Sequence, residues 1–439
     1  MSKYLFKEIV LQKGGFLRGP FGGALKKEIF VEKSVDTYKV YEQGVVLNKN
    51  QDIGRYYITN EYFKSAMFRF EVKPKDFLVS CSGVNYGAIF QLKDNVEQGI
   101  INQALLRIRL DNSLVDDRFF NYYFEHFIVK RITNGTGDST IPNFPPMDVI
   151  KNIIVDIPDI AVQQKISSVL CAIDDKIELN NKINAELEVM AKTLYDYWFV
   201  QFDFPNAEGK PYKASGGKMV YNEQLKREMP EGWEVKSLLD IANFINGLAC
   251  QKYRPIDENS LPVIKIREMN DGISANTERV RKDIPLKYIV NDGDVLFSWS
   301  ASLDVKIWSE GIGGLNQHIF KVTSSKYPKS YYYFELLNYL QHFKMMADLR
   351  KTTMGHITQE HLRDSKITVP SLDVINKLNE LLNPIFEKIL ISKKQNQELA
   401  SLRDWLLPML MNGQVTVKDA YTRVEGELGM VAEGEGKFN

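Results

Sequence analysis

The sequence predicts a mixed α/β fold that is built twice: two similar domains are separated by two long antiparallel helices forming a coiled coil, with an internal pseudo-two-fold repeat. The segment KIELNNKINAEL at 176–187 returns as KILISKKQNQEL at 388–399, with six identical positions. Each copy lies in a stretch of about 40 residues whose apolar residues recur at helical spacing. Short β-branched and aromatic runs, bounded by Gly, Asn or Asp, precede each copy and indicate strands.

The repeat extends beyond this segment, at a constant offset of 212 residues. Identical residues at this offset include one proline, one lysine and three apolar residues: Pro158/Pro370, Lys165/Lys377, Val162/Val374, Leu170/Leu382 and Ile173/Ile385. Upstream, with small gaps, KDFLVS at 75–80 resembles GDVLFS at 293–298, and Asn102-Gln103 resembles Asn316-Gln317. Two units of about 200 residues are too few and too long for a solenoid. We therefore interpret the chain as a tandem duplication.

The bulk composition indicates a cytoplasmic protein of more than one domain. The 439 residues are too many for one ordinary core, and 44% of them are apolar. We find no signal segment and no run of 18 apolar residues. Cys81, Cys171 and Cys250 form neither a disulfide framework nor a metal-ligand spacing, which fits a reducing compartment. The formal net charge is zero, but residues 13–75 hold 12 basic and 7 acidic residues, and a local basic surface suffices for nucleic acid.

The elements follow in the same order in both halves. The first domain, 1–156, has predicted strands at 76–83 and 103–110 and a helix at 116–132, and a long helix at 157–200 follows it. A Pro-, Gly- and Lys-rich stretch at 201–230 is predicted to be a linker. The second domain, 231–368, repeats the pattern with predicted strands at 261–269, 293–300 and 318–324 and a helix at 328–349. A second long helix at 369–412 and a partly disordered tail at 413–439 follow this domain. Within the tail, 424–439 is Gly- and Glu-rich without periodicity and is predicted to be disordered.

Both long helices have an a/d seam with a polar centre. Its predicted members are Ile173, Ile177, Asn184, Leu187, Leu194, Ile385, Ile389, Asn396, Leu399 and Leu406. A buried Asn at such a seam costs stability but fixes register, so the matched polar centres favour mutual pairing over two unrelated amphipathic helices. Pro384 predicts a kink or a break in the second helix. Five large residues near the helix ends are expected to leave an apolar face exposed for partners: Tyr195, Trp198, Phe199, Trp405 and Leu406.

The sequence contains no recognisable catalytic motif. No G-x-x-x-x-G-K-[ST] phosphate loop is present, and SGGKM at 215–219 lacks its first Gly and its Ser/Thr. NFPP at 143–146 has the wrong order for the Asn-Pro-Pro-aromatic element of amino-methyltransferases, and no glycine-rich cofactor loop precedes it. The five histidines include no metal-ligand pair. We predict no catalytic residue, no metal site and no cofactor bound by this chain.

Loops in both halves carry a binding signature instead. Basic residues alternate there with aromatic and small polar residues, which can neutralise phosphates and read base edges. The candidate DNA-binding residues are Arg18, Lys26, Lys27, Ser82, Asn85, Tyr86, Lys252, Arg254, Arg267, Ser300, Ser302 and Lys306. Taken singly, each loop is also compatible with an ordinary solvated turn.

The chain resembles the specificity subunit of type I restriction-modification enzymes over essentially its whole length. The I-P…Q-K-I…D-D-K-I-E pattern within 157–199 and the P-E-G-W at 230–233 carry the resemblance most specifically. GPFGGALKK at 19–27 resembles the beginning of a target recognition domain. VPSLDVINKLNELL at 369–382 resembles the second copy of the family's conserved helix, with Asn376 where the first copy has Gln164.

The resemblance implies that the two domains are target recognition domains, each reading one half of a bipartite site in double-stranded DNA. The paired helices would dock two modification subunits, which bind S-adenosylmethionine and methylate adenine. Restriction subunits would join through them and supply translocation and cleavage, with ATP and Mg on those partners. The sequence is also compatible with two alternative hypotheses: a self-contained DNA adenine methyltransferase with a fused recognition domain, and a coiled-coil scaffold that binds no DNA.

Overall fold

The computed structural model describes residues 1–83, 85–134, 144–349 and 356–428. The chain forms two compact units, Met1–Asp175 with Leu399–Asn439 and Lys176–Glu398. The boundary between the units therefore falls within the two long helices rather than at their ends. None of the helices in these ranges is long and apolar enough to cross a membrane.

The first unit contains three small sheets. Its strands are β1 Ser2–Leu5, β2 Phe16–Arg18, β3 Thr37–Tyr41, β4 Tyr57–Thr59, β5 Phe77–Ser80, β6 Ile89–Gln91, β7 Gly99–Ile101, β8 Leu105–Ile108 and β9 Ile154–Ile157. An antiparallel sheet has the order β2-β8-β5-β6, and a second sheet, β4-β3-β7, pairs β3 with β7 in parallel. β1 pairs with β9, so the beginning of the unit lies against the strand that leads into the first long helix.

The helices of this unit cover the larger sheet with aromatic side chains. They are α1 Gln43–Leu47, α2 Asn60–Tyr62, α3 Asp117–Tyr123, α4 Val129–Asn134 and α5 Met147–Lys151, and a π-helical turn at Phe124–Ile128 joins α3 to α4. The Asp116 carboxylate caps α3 by accepting a hydrogen bond from the Phe119 amide at 2.9 Å. Phe120 packs edge-to-face on Phe77 of β5, with ring centroids 5.0 Å apart. The predicted helix at 116–132 is therefore present, with a π turn inside it.

The first long helix, α6, runs Ile160–Phe199 without interruption. Asp159 caps it, because its carboxylate accepts a hydrogen bond from the Val162 amide at 3.0 Å. The second unit then contributes the strands β10 Met219–Asn222, β11 Arg227–Pro230, β12 Glu234–Ser237, β13 Asn243–Asn246, β14 Ser260–Ile264, β15 Arg279–Arg281, β16 Ile289–Val290, β17 Val295–Ser298, β18 Asp304–Ile307, β19 Gly313–Leu315, β20 Ile319–Thr323 and β21 Lys366–Val369.

The remaining helices complete the chain. They are α7 Leu238–Ile241, α8 Ile266–Asp271, α9 Lys329–Leu349, α10 Gln359–Asp364, α11 Leu372–Met411 and α12 Val417–Leu428. The prediction of a strand at 261–269 is therefore wrong for the second half of this segment, which forms α8. The helix is favoured there because the Glu268 carboxylate accepts a hydrogen bond from the Lys265 amide at the start of the first turn. α11 is continuous through Pro384, so the alternative of a break there is wrong.

The sheets of the second unit repeat those of the first. The order β13-β20-β17-β18 matches β2-β8-β5-β6, and β15-β14-β19 matches β4-β3-β7, including the parallel pair β14·β19. β12 pairs with β21 as β1 pairs with β9. The predicted duplication is thus present at the level of strand order and direction, with β16 as an addition.

One close backbone approach is duplicated with the sheets. A Cβ atom on Gly19 would lie 1.8 Å from the Asn102 carbonyl oxygen, and one on Gly247 would lie 2.2 Å from the Asn316 carbonyl oxygen. No side chain fits at either position. Because glycine has no side chain, the backbone that follows β2 in one unit and β13 in the other can pass directly against the repeated Asn-Gln dipeptide.

The residues predicted as an exposed partner face are mostly buried. Tyr195, Trp198 and Phe199 belong to the core of the second unit, where Phe202, Phe204 and Trp233 cover them. Leu406 is also buried, and Trp405 alone of the five is exposed. The stretch at 201–230, predicted as a linker, supplies this cover, because it packs Phe202 and Phe204 inward and forms the β10·β11 hairpin. The prediction of an exposed face is therefore wrong for four of its five residues.

The tail contains an ordered helix. α12 begins where the Thr416 hydroxyl accepts a hydrogen bond from the Asp419 amide, and it buries Ala420 and Val424. The Arg423 guanidinium lies 4.4 Å from the ring centroid of Trp405. The prediction of disorder is wrong for 424–428, and 429–439 lies outside the described residues.

A polar seam joins α6 to α11 within the second unit. The Asn180 amide donates to the Asn396 oxygen at 2.8 Å, and the Asn396 amide donates to Asn181 at 2.8 Å. Lys393 pairs with Glu188 at 3.5 Å, so the two helices run antiparallel. All ten predicted seam residues are buried or half-buried. The polar centre therefore sets the register of the helix pair.

The residue pair that corresponds to Asn180 and Asn396 by the internal repeat does not form the same hydrogen bond. Shifting Asn180 and Asn396 by 212 residues in opposite directions gives Ser392 and Asn184, which are 5% and 4% exposed. Neither the nitrogen nor the oxygen of the Asn184 amide has a hydrogen-bond partner. A serine is shorter than an asparagine, so the opposing hydroxyl does not reach where the Asn396 amide reaches in the first pair.

The two ends of the seam also differ in chemistry. In the first unit, the Asp174 carboxylate accepts hydrogen bonds from the Tyr122 hydroxyl and from Arg403, the latter at 2.7 Å. The residues 212 positions away in the second unit are Phe334, Phe386 and Ala191. There the Phe334 and Phe386 rings stack with centroids 5.7 Å apart, beside the buried Ala191. A polar cluster in one unit thus occupies the place of an apolar cluster in the other.

Replacing Ser392 by Asn should stabilise the helix pair. The new amide would face Asn184 and satisfy a buried polar group whose desolvation costs about 1–3 kcal/mol. We expect amide hydrogen exchange in α6 peptides spanning Asn184 to slow by about fivefold, which corresponds to ~1 kcal/mol. Ser392→Ala is the matched control and should give no slowing. Unchanged exchange in Ser392→Asn would show that the two positions do not face each other.

A buried carboxyl makes the second unit sensitive to pH. Glu335 is 7% exposed, and its Oε1 accepts a hydrogen bond from the Tyr195 hydroxyl at 2.6 Å. Burial raises the pKa of Glu335 to about 7, although the Tyr195 hydrogen bond and the charges of Arg227 and Lys192 oppose the rise. In the unfolded chain the carboxyl has an ordinary pKa near 4.5. Unfolding therefore releases a proton between these values, and stability falls as the pH rises through this window.

Glu335→Gln should remove most of this pH dependence. The amide oxygen can still accept the Tyr195 hydrogen bond, but it never carries a charge. We expect wild type to lose roughly 3 kcal/mol of unfolding free energy between pH 4.5 and 7.5 from this group, and the variant to lose little. Urea unfolding followed by tryptophan fluorescence measures it, because four of the five tryptophans lie in the second unit. Glu258→Gln, at an exposed position, should keep the wild-type slope, and an equal slope in Glu335→Gln would contradict the assignment.

Candidate nucleic-acid interface

One edge of the four-stranded sheet in the first unit gathers the candidate loops. β2 ends at Arg18 opposite Leu106, and β5 ends at Ser80 opposite Leu105, which begins β8. The carboxyl ends of β2 and β5 therefore meet at the same edge. The chain leaves this edge through the stretch 19–27 and through the β5–β6 connection, so polar residues in both loops come to the same end of the sheet.

All six candidates of the first unit lie at the end of β2 or in the two loops that leave this edge. Lys26, Lys27 and Asn85 are exposed, as a phosphate- or base-contacting side chain must be. Arg18 is half-buried, with its guanidinium 5.7 Å from the ring centroid of Phe21. Ser82 and Tyr86 are half-buried in the β5–β6 loop, where the Ser82 carbonyl accepts a hydrogen bond from the Gln43 side chain. Gln43, which the sequence reading missed, thus fixes this loop from α1.

The second unit has the same edge in the same place. β13 ends at Asn246 opposite Phe320, and β17 ends at Ser298 opposite Ile319, which begins β20. Four candidates lie in the loops that leave this edge: Lys252, Arg254, Ser300 and Ser302. Three of the four are exposed, whereas Ser300 is buried with its hydroxyl 3.3 Å from Nδ1 of His318.

Two candidates are not brought to this edge. Arg267 lies on α8 and forms an ion pair with Glu268 at 2.6 Å. Lys306 lies within β18, and its ammonium donates to the Met269 carbonyl and to the Asn270 side chain, each at 3.1 Å. Both side chains hold α8 by hydrogen bonds within the chain. The structure therefore groups ten of the twelve candidates and leaves these two apart.

An aromatic and imidazole cluster at the second edge was missed by the sequence reading. The Trp299 ring lies 5.7 Å from His318 and 5.2 Å from His356, and its indole nitrogen donates to Asn246 at 3.1 Å. One signal in the sequence could have pointed to this cluster, because His318 directly follows the repeated Asn-Gln dipeptide just before β20. The corresponding positions of the first unit, Cys81 and Ala104, carry no ring.

Part of the local basic excess in the first unit is buried. Lys39 is 1% exposed and donates to the Gln51 carbonyl at 2.7 Å, and this burial lowers the pKa of its ammonium. Its charge therefore adds little to the surface potential that the sequence count suggested. Lys26 and Lys27, by contrast, are exposed in the loop that follows β2.

Neither a metal site nor a catalytic group is apparent in the described ranges. No three His, Cys, Asp or Glu side chains there are placed to hold a metal ion. His361 lies in the first turn of α10, where its Nδ1 accepts a hydrogen bond from the Thr358 amide at 3.0 Å, and the three cysteines are free. Asn143 of the NFPP segment, most of 132–140 and most of 350–358 lie outside the described residues.

Comparisons with known proteins agree with this architecture. The family described as type I restriction modification DNA specificity domain matches residues 10–189 and 230–401. The MjaIX specificity subunit of Methanocaldococcus jannaschii is 27% identical over 373 residues, which is 82% of each chain. The HindI specificity subunit of Haemophilus influenzae is 25% identical over 376 residues, 70% of this chain and 82% of its own.

A solved structure has the same fold. The S subunit of a type I restriction-modification system from M. genitalium superposes with a TM-score of 0.54 at 15% identity, covering 93% of this chain and 96% of its own. Because two copies of the family's domain span most of the sequence, and because each carries the same sheet edge, the chain belongs to the DNA specificity subunits of type I restriction-modification systems.

Proposed function

We propose that each unit of this specificity subunit reads one half of a bipartite DNA target with the edge of its four-stranded sheet. The observation that supports the proposal is that the duplicated fold has two equivalent sheet edges, and that ten of the twelve candidate residues lie at the strand ends or in the loops that leave these edges. Exposed lysines and arginines there can neutralise phosphates, and the exposed side chains of Asn85 and Ser302 present donors and acceptors. The two edges differ in side chains, so the two half-sites should differ in sequence.

The duplicated helices suit two copies of one partner. A chain with internal two-fold repetition offers equivalent surfaces twice, as a homodimer does. Leu179 of α6 and Ile391 of α11 stand 212 residues apart, and they are 50% and 62% exposed. Apolar residues at matched exposed positions support docking of two modification (methyltransferase) subunits along the helices.

The chemistry would reside on those partners. S-adenosylmethionine would bind to the modification subunits, and ATP and Mg to restriction subunits that join through them. The chain itself would position the complex on DNA without binding a cofactor. We place this assembly in the cytoplasm, where its DNA substrate is.

Methylated-adenine mapping tests the function directly. Genomic DNA is sequenced by a method that detects N6-methyladenine, from cells with this gene, without it, and with the gene restored. We expect one bipartite motif to lose its methylation on deletion and to regain it on restoration. A motif that is unaffected by deletion would reject the proposal in favour of a scaffold that binds no DNA. S-adenosylmethionine binding by the chain alone would favour a self-contained methyltransferase.

Variants at the first edge should separate phosphate contacts from base reading. The double variant Lys26→Ala/Lys27→Ala should weaken binding to all sequences and reduce the salt dependence by about two charges. Asn85→Ala should cost ~1–3 kcal/mol at one position of one half-site and relax the methylation motif there.

Fluorescence anisotropy of the assembled complex at several salt concentrations provides the measurement. Lys210→Ala/Lys213→Ala, two exposed lysines away from the edge, is the matched control and should leave the salt dependence unchanged. Wild-type affinity and motif in both edge variants would show that the first unit reads DNA elsewhere.

A further inference from the structure

A surface cavity lies beside the sheet edge of the first unit, outside the candidate loops. β3 and β7 run parallel, so both strands end on the side where β8 begins and where β2 and β5 end. The cavity has a volume of about 260 Å³ and is lined by the start of α1 at 42–45, by residues 53–54, and by Asn102 and Ala104 between β7 and β8. It therefore belongs to the same end of the unit as the loops proposed to meet DNA.

Hydrogen bonds join the cavity wall to the β5–β6 loop. The Gln43 side chain donates to the Ser82 carbonyl, and the backbone amide of Asn102 donates to the Tyr41 carbonyl at 3.0 Å. Glu42 lies between Tyr41 and Gln43 and is held on both sides by these bonds. Its backbone therefore has a fixed place relative to the loop that carries several candidate residues.

Glu42 brings a carboxylate without a donor to this cavity. It directly precedes α1, but its side chain does not cap the helix, and none of the described residues donates a hydrogen bond to it or pairs with it. The side chain is half-buried, and burial raises the pKa of Glu42, although the charge of Arg55 opposes the rise. In the second unit Lys265 follows β14 as Glu42 follows β3, and it pairs with Glu278 at 2.6 Å. The Glu42 carboxylate thus lacks the internal partner that its counterpart has.

Few groups of DNA can approach such a carboxylate favourably. Phosphates repel it, and so do the N7 and O6 atoms of guanine and the O4 atom of thymine. The amino groups of adenine and cytosine can donate to it in the major groove, but adenine places the acceptor N7 beside its amino group, whereas cytosine presents the N4 donor without an acceptor. The guanine N2 amino group lies in the minor groove, which at about 6 Å is too narrow for a sheet edge. Cytosine is therefore the base that suits Glu42 best.

A divalent cation suits the cavity less well. Such ions take several oxygen ligands, usually including more than one carboxylate when the protein supplies most of them. Among the described residues that line the cavity, Glu42 alone carries a carboxylate. The chemistry of the wall thus favours a neutral hydrogen-bond donor.

We infer that Glu42 is a specificity-determining residue of the first unit, which accepts a hydrogen bond from the N4 amino group of a cytosine. The inference rests on the proposed function, because it needs DNA at this edge. Arg55 is exposed and follows Gly54 of the cavity wall, so its guanidinium can bind a neighbouring phosphate and offset the repulsion between that phosphate and the carboxylate. Lys265 cannot accept a hydrogen bond, so the cytosine contact belongs to the first half-site alone.

Methylated-adenine mapping in cells that carry Glu42→Ala tests this role in the whole complex. We expect one G·C position of one half-site to accept other base pairs, with discrimination reduced about tenfold or more, and the other half-site to stay unchanged. Asp94→Ala is the matched control and should keep the motif, because Asp94 is exposed in the turn after β6, at the opposite end of the four-stranded sheet.

The same mapping separates the inference from the proposed function. A motif that depends on the gene but is unchanged in Glu42→Ala, or that relaxes at an A·T position instead, would overturn the role of Glu42 only. Methylation that does not depend on the gene at all would overturn the proposed function itself.

A DNA analogue tests the contact without relying on the variant. Each cytosine of the mapped motif is replaced in turn by pyrimidin-2-one, which lacks the 4-amino group, in synthetic duplexes. Fluorescence anisotropy of the wild-type complex should show one replacement that weakens binding about tenfold, and the Glu42→Ala complex should lose little at that position. The inference would be overturned if no replacement weakened wild-type binding, or if each replacement weakened both complexes equally.

Discussion

The register of the α6–α11 helix pair depends on one buried amide contact. At the observed axial offset, the Asn180 amide donates to Asn396 and Gln395, and the Asn396 amide donates to Asn181. A shift along the pair would break this set of hydrogen bonds at a partly buried position. Apolar seam residues alone would tolerate several offsets at similar cost. That offset decides which residues face each other along the pair, including Glu188 and Lys393. The polar centre that interrupts the seam is thus what gives the seam its specificity.

The duplicated scaffold carries two kinds of surface. Strand order and the close approaches at Gly19 and Gly247 recur at equivalent positions, which is what two copies of one partner need. The sheet edges recur in backbone only: Trp299 and His318 stand in one unit where Cys81 and Ala104 stand in the other. The two units therefore differ in side chains at the edges proposed to read DNA, as they also do at the ends of the helix seam. A scaffold with an internal two-fold repeat and two different recognition edges can bind a DNA target whose two half-sites differ in sequence.

Much of this fold could be predicted from the sequence, because its strongest signals are periodic. The helices at Ile160–Phe199 and Leu372–Met411 follow from apolar residues seven apart, and β5 and β17 follow from compact apolar runs. What could not be predicted depends on partners distant in the chain. Tyr195 and Phe199 appeared available for docking because Phe202 and Phe204, which belong to the same core, lie in a stretch whose Gly and Lys content indicates a linker.

The same limit applied to the candidate site. Loops that follow strands could be identified from the sequence, and the candidate residues chosen in them stay predictions. Lys306 was grouped with them because its charge is visible in the sequence, whereas the Met269 carbonyl that binds it is not. The Trp299 cluster was missed because Trp299, His318, His356 and Asn246 come from four separate segments of the sequence. Only the folded chain brings these segments together.

The Asp174 cluster bears on the history of the chain. A tandem repeat of this kind is readily imagined as descending from a half-length ancestor that paired with itself. In such a homodimer of the present first half, Asp174 would meet Ala191 instead of Arg403 and would lose its counter-charge. A homodimer of the present second half would bring Arg403 against Phe386 and bury its guanidinium beside a ring. Each half has accumulated a residue that only the other half can accommodate, so the fusion has become irreversible, and a separated half would be a poor partner for its own copy.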